Sequence, residues 1–230
     1  MFKLIAAGII SVIVSYLLGS CNSSIIVVRL LKHEDVREHG SKNAGLTNTL
    51  RCYGKFPALL TLLGDLAKGI VSVLLSILIF RIFVGADGFD VKTVGYISGI
   101  AAILGHIFPI YYGFRGGKGI LVSCSILIVI DPLTFVIIIP FFAIVLLISK
   151  YVSVASISAA IFYPILTFLL HFFVEGVSLD LCITHTALVA VTSILLIYMH
   201  RANIQRLRNG TENKFIKKKT HEENTKQKEE

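Results

Sequence analysis

The chain has 230 residues, of which 55% are hydrophobic and only 16% charged, with a mean hydropathy of +0.80. That charged share is well below the roughly 25% usual for soluble domains, and the apolar residues arrive in uncharged blocks, which excludes a water-soluble globule. The formal charge of +8 would suggest nucleic acid in a soluble protein, but most cations here flank apolar runs, a pattern of membrane topology and anionic lipid, so no nucleic-acid partner is expected.

The first uncharged run covers residues 4–28. Leu18-Gly19-Ser20-Cys21 within it resembles the cleavage box of a bacterial lipoprotein signal. Six more apolar segments follow, and export of the next loop would reverse the charge rule, so the run is read as a retained first helix. An apolar stretch from Phe56, holding Asp65 and Lys68, leads into the run 69–80, and further runs cover 93–114, 119–130, 132–149, 151–174 and 181–199. Most approach the roughly 20 residues a helix needs to cross hydrocarbon. Asp131 and Pro132 divide residues 119–149, which read as either one long helix or two short ones.

Charge decides between the two readings. Seven spans place 18 cations on the side bearing the C-terminus and 3 opposite, whereas six spans give 13 against 8. The expected fold is therefore all-α and polytopic, with about seven transmembrane helices, the N-terminus out and the C-terminus cytoplasmic. Residues 1–212 form the embedded domain, and residues 213–230 form a charged tail expected to be disordered. Cys21, Cys52, Cys124 and Cys182 show no C-x-x-C pairing and the histidines are widely spaced, so reduced thiols and no metal are expected.

Three segments on the expected cytoplasmic side combine glycines with cations: Gly40 to Arg51, Gly105 to Pro109 continuing through Phe114 to Gly119, and His200-Arg201-Ala202-Asn203. Glycine lets backbone N–H groups approach phosphate oxygens, hydroxyl and amide side chains add donors, and Arg or Lys supplies charge. One such loop would read as an ordinary interfacial turn, but three on one side read as a shared phosphate pocket. Asp65 and Lys68, three apart on one helix face, read either as a wall of that pocket or as an interfacial pair. Ser153 and Ser156 cap their helix or donate to a ligand.

At these positions the chain resembles the bacterial acyl-phosphate-dependent glycerol-3-phosphate acyltransferases. The match runs over nearly all of residues 16–212 and rests on Gly19-Ser20, the Gly40–Arg51 segment with Gly54-Lys55, Asp65, Lys68-Gly69, and the Gly105–Pro109 and Phe114–Gly119 segments. It continues through Tyr151-Val152-Ser153, Ser156, His200-Arg201, Asn203-Ile204 and Gly210-Thr211-Glu212. The chain departs from the family at Asn22, where a proline is usual, and at Lys42, Ala44 and Leu46, because the common Ser-Gly-Asn-Pro-Gly-Ala-Thr-Asn reads Ser41-Lys42-Asn43-Ala44-Gly45-Leu46-Thr47-Asn48.

The resemblance implies a seven-helix enzyme of the bacterial inner or plasma membrane, with its active site facing the cytoplasm. It would move a fatty acyl group from acyl phosphate to the sn-1 hydroxyl of glycerol 3-phosphate, without a cofactor. Carried over residue by residue, it implies that Ser41, Asn43, Gly45, Thr47, Asn48, Arg115, Gly116, Gly117, Gly119, Ser153 and Ser156 contact substrate and phosphate, and that Lys118, Arg51, His200 and Asn203 are catalytic. Asp65, Lys68 and His106 are expected to support the site, His106 by holding its loop. The proton of the attacking hydroxyl goes to His200 or to the acyl phosphate's own oxygen. No His-x4-Asp pair is present, which argues against the acyltransferases that use one with acyl-CoA. Membrane lipid is an expected partner and a monomer is favoured. The competing readings are a transporter or channel for a phosphorylated small molecule, and a ligand-binding paralogue without activity.

Overall fold

The computed structural model describes residues 1–215, and every regular element among them is helical. From residue 216 onward the tail expected to be disordered lies outside the described residues.

Helix α1 (Phe2–Ser20) stops at Cys21, and Asn22 then caps α2 (Ser23–Lys32), its side-chain oxygen accepting from the Ile25 N–H at 3.2 Å. After a loop come α3 (Leu46–Tyr53) and the 30-residue α4 (Lys55–Val84). Helix α5 (Val91–Ile107) begins at Asp90, whose carboxylate accepts from the Thr93 N–H at 2.6 Å. The 119–149 ambiguity resolves into two helices, α6 (Ile120–Ile130) and α7 (Pro132–Ser149). Pro132 has no N–H to continue α6 but suits the first turn of α7, which Asp131 caps. Helix α8 (Val152–Leu169) runs into a π-turn at Leu170–Val174, and α9 (Leu179–Met199) and α10 (Arg201–Arg208) complete the order.

Six segments are long and apolar enough to cross a membrane: α1 with α2, α4, α5, α7, α8 and α9. Helix α6 has 11 residues and rises about 16 Å, half of a roughly 30 Å hydrocarbon core. The expected seven spans thus meet six full-length segments and one short one. Helix α6 still runs antiparallel to α5, with Gly119 against Ile103, Gly99 against Ile126 and Gly95 against Ile130.

Small residues set the closest helix contact. A Cβ on Gly19 would lie 2.1 Å from the Ala102 carbonyl oxygen, and one on Gly105 2.2 Å from that of Tyr16, so α1 and α5 touch backbone to backbone. The main apolar core joins α4 to α9 through residues such as Val73, Ile103, Ile126, Tyr163, Val189 and Leu196. This rigid bundle carries the loops 33–45 and 113–119, Lys150 and α10 at one end. Those loops are tied together by the bonds Asn22 to Ala44, Arg37 to Arg115, Lys118 to Asn203 and Phe215 to Lys150.

Candidate functional site: a cationic mouth above an apolar chamber

The loop before α3 is held by its own side chains. Arg37 Nη1 donates to the carbonyls of Tyr112 at 2.7 Å and Arg115 at 3.0 Å, while its guanidinium pairs with Asp35 at 2.8 Å. Hydrogen bonding from Arg37 holds the Asp35 carboxyl well below the usual carboxylate range. Asn48 is buried and donates through its amide nitrogen to Val36 O at 3.1 Å and His39 O at 3.0 Å, while its oxygen accepts from Ser41 N at 2.8 Å and Ser41 Oγ at 3.1 Å. Both of its amide hydrogens are therefore engaged in shaping the loop, although its side chain borders the site.

Two family departures have visible consequences here. Asn22 caps α2 and also donates to Ala44 O at 3.4 Å, binding the α1–α2 break to the loop. Lys42 is exposed with φ +58°, a left-handed conformation that suits the glycine common at this position. Lys42→Gly is expected to stabilise the protein by about 0.5–1 kcal/mol, the relief of αL strain outweighing the greater freedom of unfolded glycine. A thermal-unfolding midpoint at or below that of the parent protein would refute this.

The turn after α5 places Lys118. The Gly116 and Gly117 N–H groups donate to the carbonyls of Ile107 at 3.0 Å and His106 at 3.1 Å. A Cβ on Gly117 would lie 2.1 Å from His106 Nε2 and 2.5 Å from Ala44 O. These glycines thus permit close packing, and their amides are engaged within the turn instead of cradling phosphate as expected. Gly119, at φ +87°, turns the chain into α6. Beneath it, Lys68 Nζ donates to Asp65 at 2.9 Å, to His106 Nδ1 at 2.8 Å and to Cys21 O at 3.2 Å, so one buried ammonium joins α1, α4 and α5. His106 is a structural member of this wall.

The C-terminal segment closes the site through Glu212. Its Oε1 accepts from Asn203 Nδ2 at 2.7 Å and Ser153 Oγ at 3.0 Å, and its Oε2 from Arg206 Nε at 2.7 Å. Burial works to raise the Glu212 pKa, and these three hydrogen bonds outweigh it, so the carboxyl titrates below its ordinary value. Asn203 Oδ1 in turn accepts from Lys118 Nζ. Burial, and then the nearby Arg206 charge, push the Lys118 amine down to about 8. His200 is buried and donates Nδ1–H to Leu196 O at 2.8 Å, which fixes the tautomer and leaves the lone pair on Nε2. Burial and the Lys118 charge lower its pKa to about 4, so the imidazole is neutral at pH 7.

These groups surround a cavity of about 400 Å³. Of the expected residues, Ser41, Asn43, Gly45, Thr47, Asn48 and Arg51 line it from the first loop, and Lys118, Gly119, Ser153, Ser156, His200 and Asn203 from the rest of the mouth. Asp65 and His106 lie on its wall, whereas Arg115, Gly116, Gly117 and Lys68 do not line it. Arg206 and Glu212, absent from the expected site, do. Glu212 could have been found as the sole carboxylate in the cationic stretch 201–215. Deeper, between α6, α7 and α8, the lining becomes apolar, with Leu127, Ile138, Phe142, Ala160 and Tyr163. Three cations facing one carboxylate at the mouth suit a phosphorylated headgroup, and the chamber suits an alkyl chain.

Comparison with known proteins follows the same lines. The sequence profile of the family described as glycerol-3-phosphate acyltransferase matches residues 9–210. A glycerol-3-phosphate acyltransferase of Halalkalibacterium halodurans is 39% identical over 214 residues, covering 92% of this chain and 97% of that relative. One of Clostridioides difficile is 38% identical over 211 residues, covering 92% and 97%. The crystal structure of PlsY, an integral membrane glycerol 3-phosphate acyltransferase, in its glycerol 3-phosphate form is similar with a TM-score of 0.74 and 32% identity, covering 91% of this chain and 96% of that one. PlsY in its lysophosphatidic acid form gives a TM-score of 0.72 at 31% identity, covering 90% and 94%.

Proposed function

The chain belongs to the glycerol-3-phosphate acyltransferase family, as an integral membrane acyltransferase, and from that premise we propose that it transfers a fatty acyl group from acyl phosphate to the sn-1 hydroxyl of glycerol 3-phosphate, releasing lysophosphatidic acid and phosphate. The supporting observation is the single cavity whose cationic mouth continues into an apolar chamber. Both substrates carry phosphate and one carries an alkyl chain. The charged groups that line the cavity gather at its mouth, at one end of the bundle, which favours this over a transporter that would hold them near the midplane.

In the proposed reaction the sn-1 oxygen attacks the acyl carbonyl carbon, a new C–O bond forms, and the bond from that carbon to the phosphate oxygen breaks. Charge grows on the carbonyl oxygen and on the departing phosphate, where Lys118, Arg51 and Arg206 stabilise it. Asn203 and Glu212 hold Lys118 and Arg206 in place. His200 Nε2 accepts a hydrogen bond from the attacking hydroxyl and orients it. A base with a pKa of about 4 is weaker than a phosphate oxygen, whose second pKa is about 6, so the proton ends on the departing phosphate. Gly116 and Gly117 support the turn, Ser41 is held by Asn48, and Asn43, Thr47 and Ser156 supply neutral donors to phosphate oxygens.

We assign the cationic end to the cytoplasm, with the N-terminus outside and α6 as a short seventh crossing in the inner or plasma membrane. One chain encloses the whole cavity, which supports a monomer as the acting unit. The decisive assay supplies purified protein with glycerol 3-phosphate and acyl phosphate and follows lipid product by thin-layer chromatography. Lysophosphatidic acid is expected, and folded protein that yields none, or that yields it only from acyl-CoA, would overturn the proposed donor.

The chamber also predicts chain-length behaviour. Ala160 is buried on its wall, and Ala160→Leu fills the space of at least two methylenes, each worth about 0.8 kcal/mol of burial. The longest acyl phosphates are expected to lose about tenfold in kcat/KM relative to short ones. An unchanged ranking across chain lengths would show that the alkyl chain lies elsewhere.

A further inference from the structure

At the end of the bundle opposite the cationic mouth, a second buried polar cluster joins the start of α5, the α6–α7 junction, the end of α8 and the start of α9. Asp131 and His171 are fully buried, His185 nearly so, and Glu175 is partly exposed. Asp131 Oδ2 lies 3.3 Å from His171 Nε2, which lies 3.9 Å from Glu175 Oε2, and the three ligand atoms are all within 4.8 Å of one another. A tetrahedral ion with bonds of about 2.0–2.2 Å holds neighbouring ligands about 3.3–3.6 Å apart. Small side-chain adjustments would close this triangle on such an ion.

One order of protons along the two imidazoles frees a nitrogen for a ligand. In it His185 Nε2 donates to Asp90 Oδ2 at 2.8 Å and its Nδ1 accepts from His171 Nδ1–H at 3.2 Å. His171 then carries its lone pair on Nε2, directed at Asp131 and Glu175. A lone pair beside two carboxylates repels them unless a cation intervenes. In this arrangement the cation is the Lys92 ammonium, 3.1 Å from His171 Nε2 and paired with Glu175. Asp90, Asp131 and Glu175 nevertheless bring three negative charges against the single charge of Lys92, so the cluster is short of the positive charge that a divalent ion would supply. Asp131 is further held by Tyr96 OH at 2.9 Å and Thr134 Oγ1 at 2.7 Å, and the Asp90–His185–His171 relay orients the ligand imidazole, an outer shell of the kind that metal sites use.

We propose that His171, Asp131 and Glu175 form a binding site for a divalent transition-metal ion of the zinc class, with Lys92 as the competing internal cation that swings out when the ion enters. The ligand set of imidazole and carboxylate favours zinc over magnesium or calcium. Lying beyond the apolar floor of the chamber, at the end opposite its cationic mouth, the ion would brace the α6–α7 break against α8 and take no part in acyl transfer.

The test uses full-length protein without a polyhistidine tag, freed of metal by chelator and dialysed against zinc chloride alone. Bound zinc is measured by elemental analysis and affinity by calorimetry, with Co²⁺ ligand-field bands reporting geometry. About one zinc per chain is expected, Glu175→Gln should weaken binding at least about tenfold, and Lys92→Met should tighten it by a similar factor because the competitor is gone. Both variants should keep the parent's acyl-transfer rate, which also certifies their fold. Wild-type protein holding no more zinc than Glu175→Gln, or an affinity unmoved by Lys92→Met, would overturn the proposal and leave a lysine-closed ion-pair network.

Discussion

Lys118→Ala is expected to lower kcat/KM for acyl transfer by about 10²–10³-fold. The ammonium is mostly withdrawn from water, has its Asn203 partner already in place, and faces the cavity where the new negative charge develops. Its removal also leaves Asn203 Oδ1 without its donor, so the loss exceeds that of an exposed cation. The depressed pKa supplies an independent check. The active form is the protonated one, so kcat/KM for the parent should fall as pH rises through about 8. Lys118→Arg, whose guanidinium stays charged, should move that alkaline limb to higher pH even while the maximal rate drops. A Lys118→Ala variant with full turnover, or an alkaline limb unaltered in Lys118→Arg, would remove Lys118 from the mechanism.

Glu212→Ala is expected to cost about a hundredfold in kcat/KM, second only to Lys118, although Glu212 is an anion in a site built for anions. Its value lies in positioning: one carboxylate holds Ser153, Asn203 and Arg206, and through Asn203 it sets the place of Lys118. Without it Asn203 and Ser153 lose their acceptor, and Arg206 and Lys118, already repelling each other, are free to separate. Glu212→Gln keeps an oxygen for Asn203 and Ser153 but loses the charge facing Arg206, and should cost about tenfold. A positioning role therefore requires the Ala loss to exceed the Gln loss clearly, and equal losses, or none, would contradict it.

Much of this was readable in the residues because charge in a membrane protein is sparse. Every polar or titratable group in an apolar chain needs a reason, and that logic points to the Gly40–Arg51 segment, Lys118 and His200, which meet at one cavity. The same logic could not tell a glycine that offers its amide from one that admits a neighbour, so Gly116 and Gly117 read as phosphate ligands although His106 packs against the space a Cβ would take. Nor could it see that the Asn48 amide points back into its own loop. The Asp131–His171–His185 cluster is not legible in the sequence for a different reason. Asp131 lies 40 residues before His171, and only the antiparallel return of α8 and α9 brings the three side chains together. At Asp131-Pro132 the residues alone leave one long helix or two short ones open, and the distribution of cations decides for two, which the cap at Asp131 and the proline opening α7 then bear out in α6 and α7.

That Glu212 follows the last long helix has a meaning for how the protein is made. The loop with Arg51, the turn with Lys118 and the start of α8 are all synthesised before it, yet they lack the carboxylate that secures their cationic partners until α9 and α10 have left the ribosome. A nascent chain halted anywhere short of Glu212 would hold inserted helices but an unassembled reaction centre, so competence arrives in one step and not by increments.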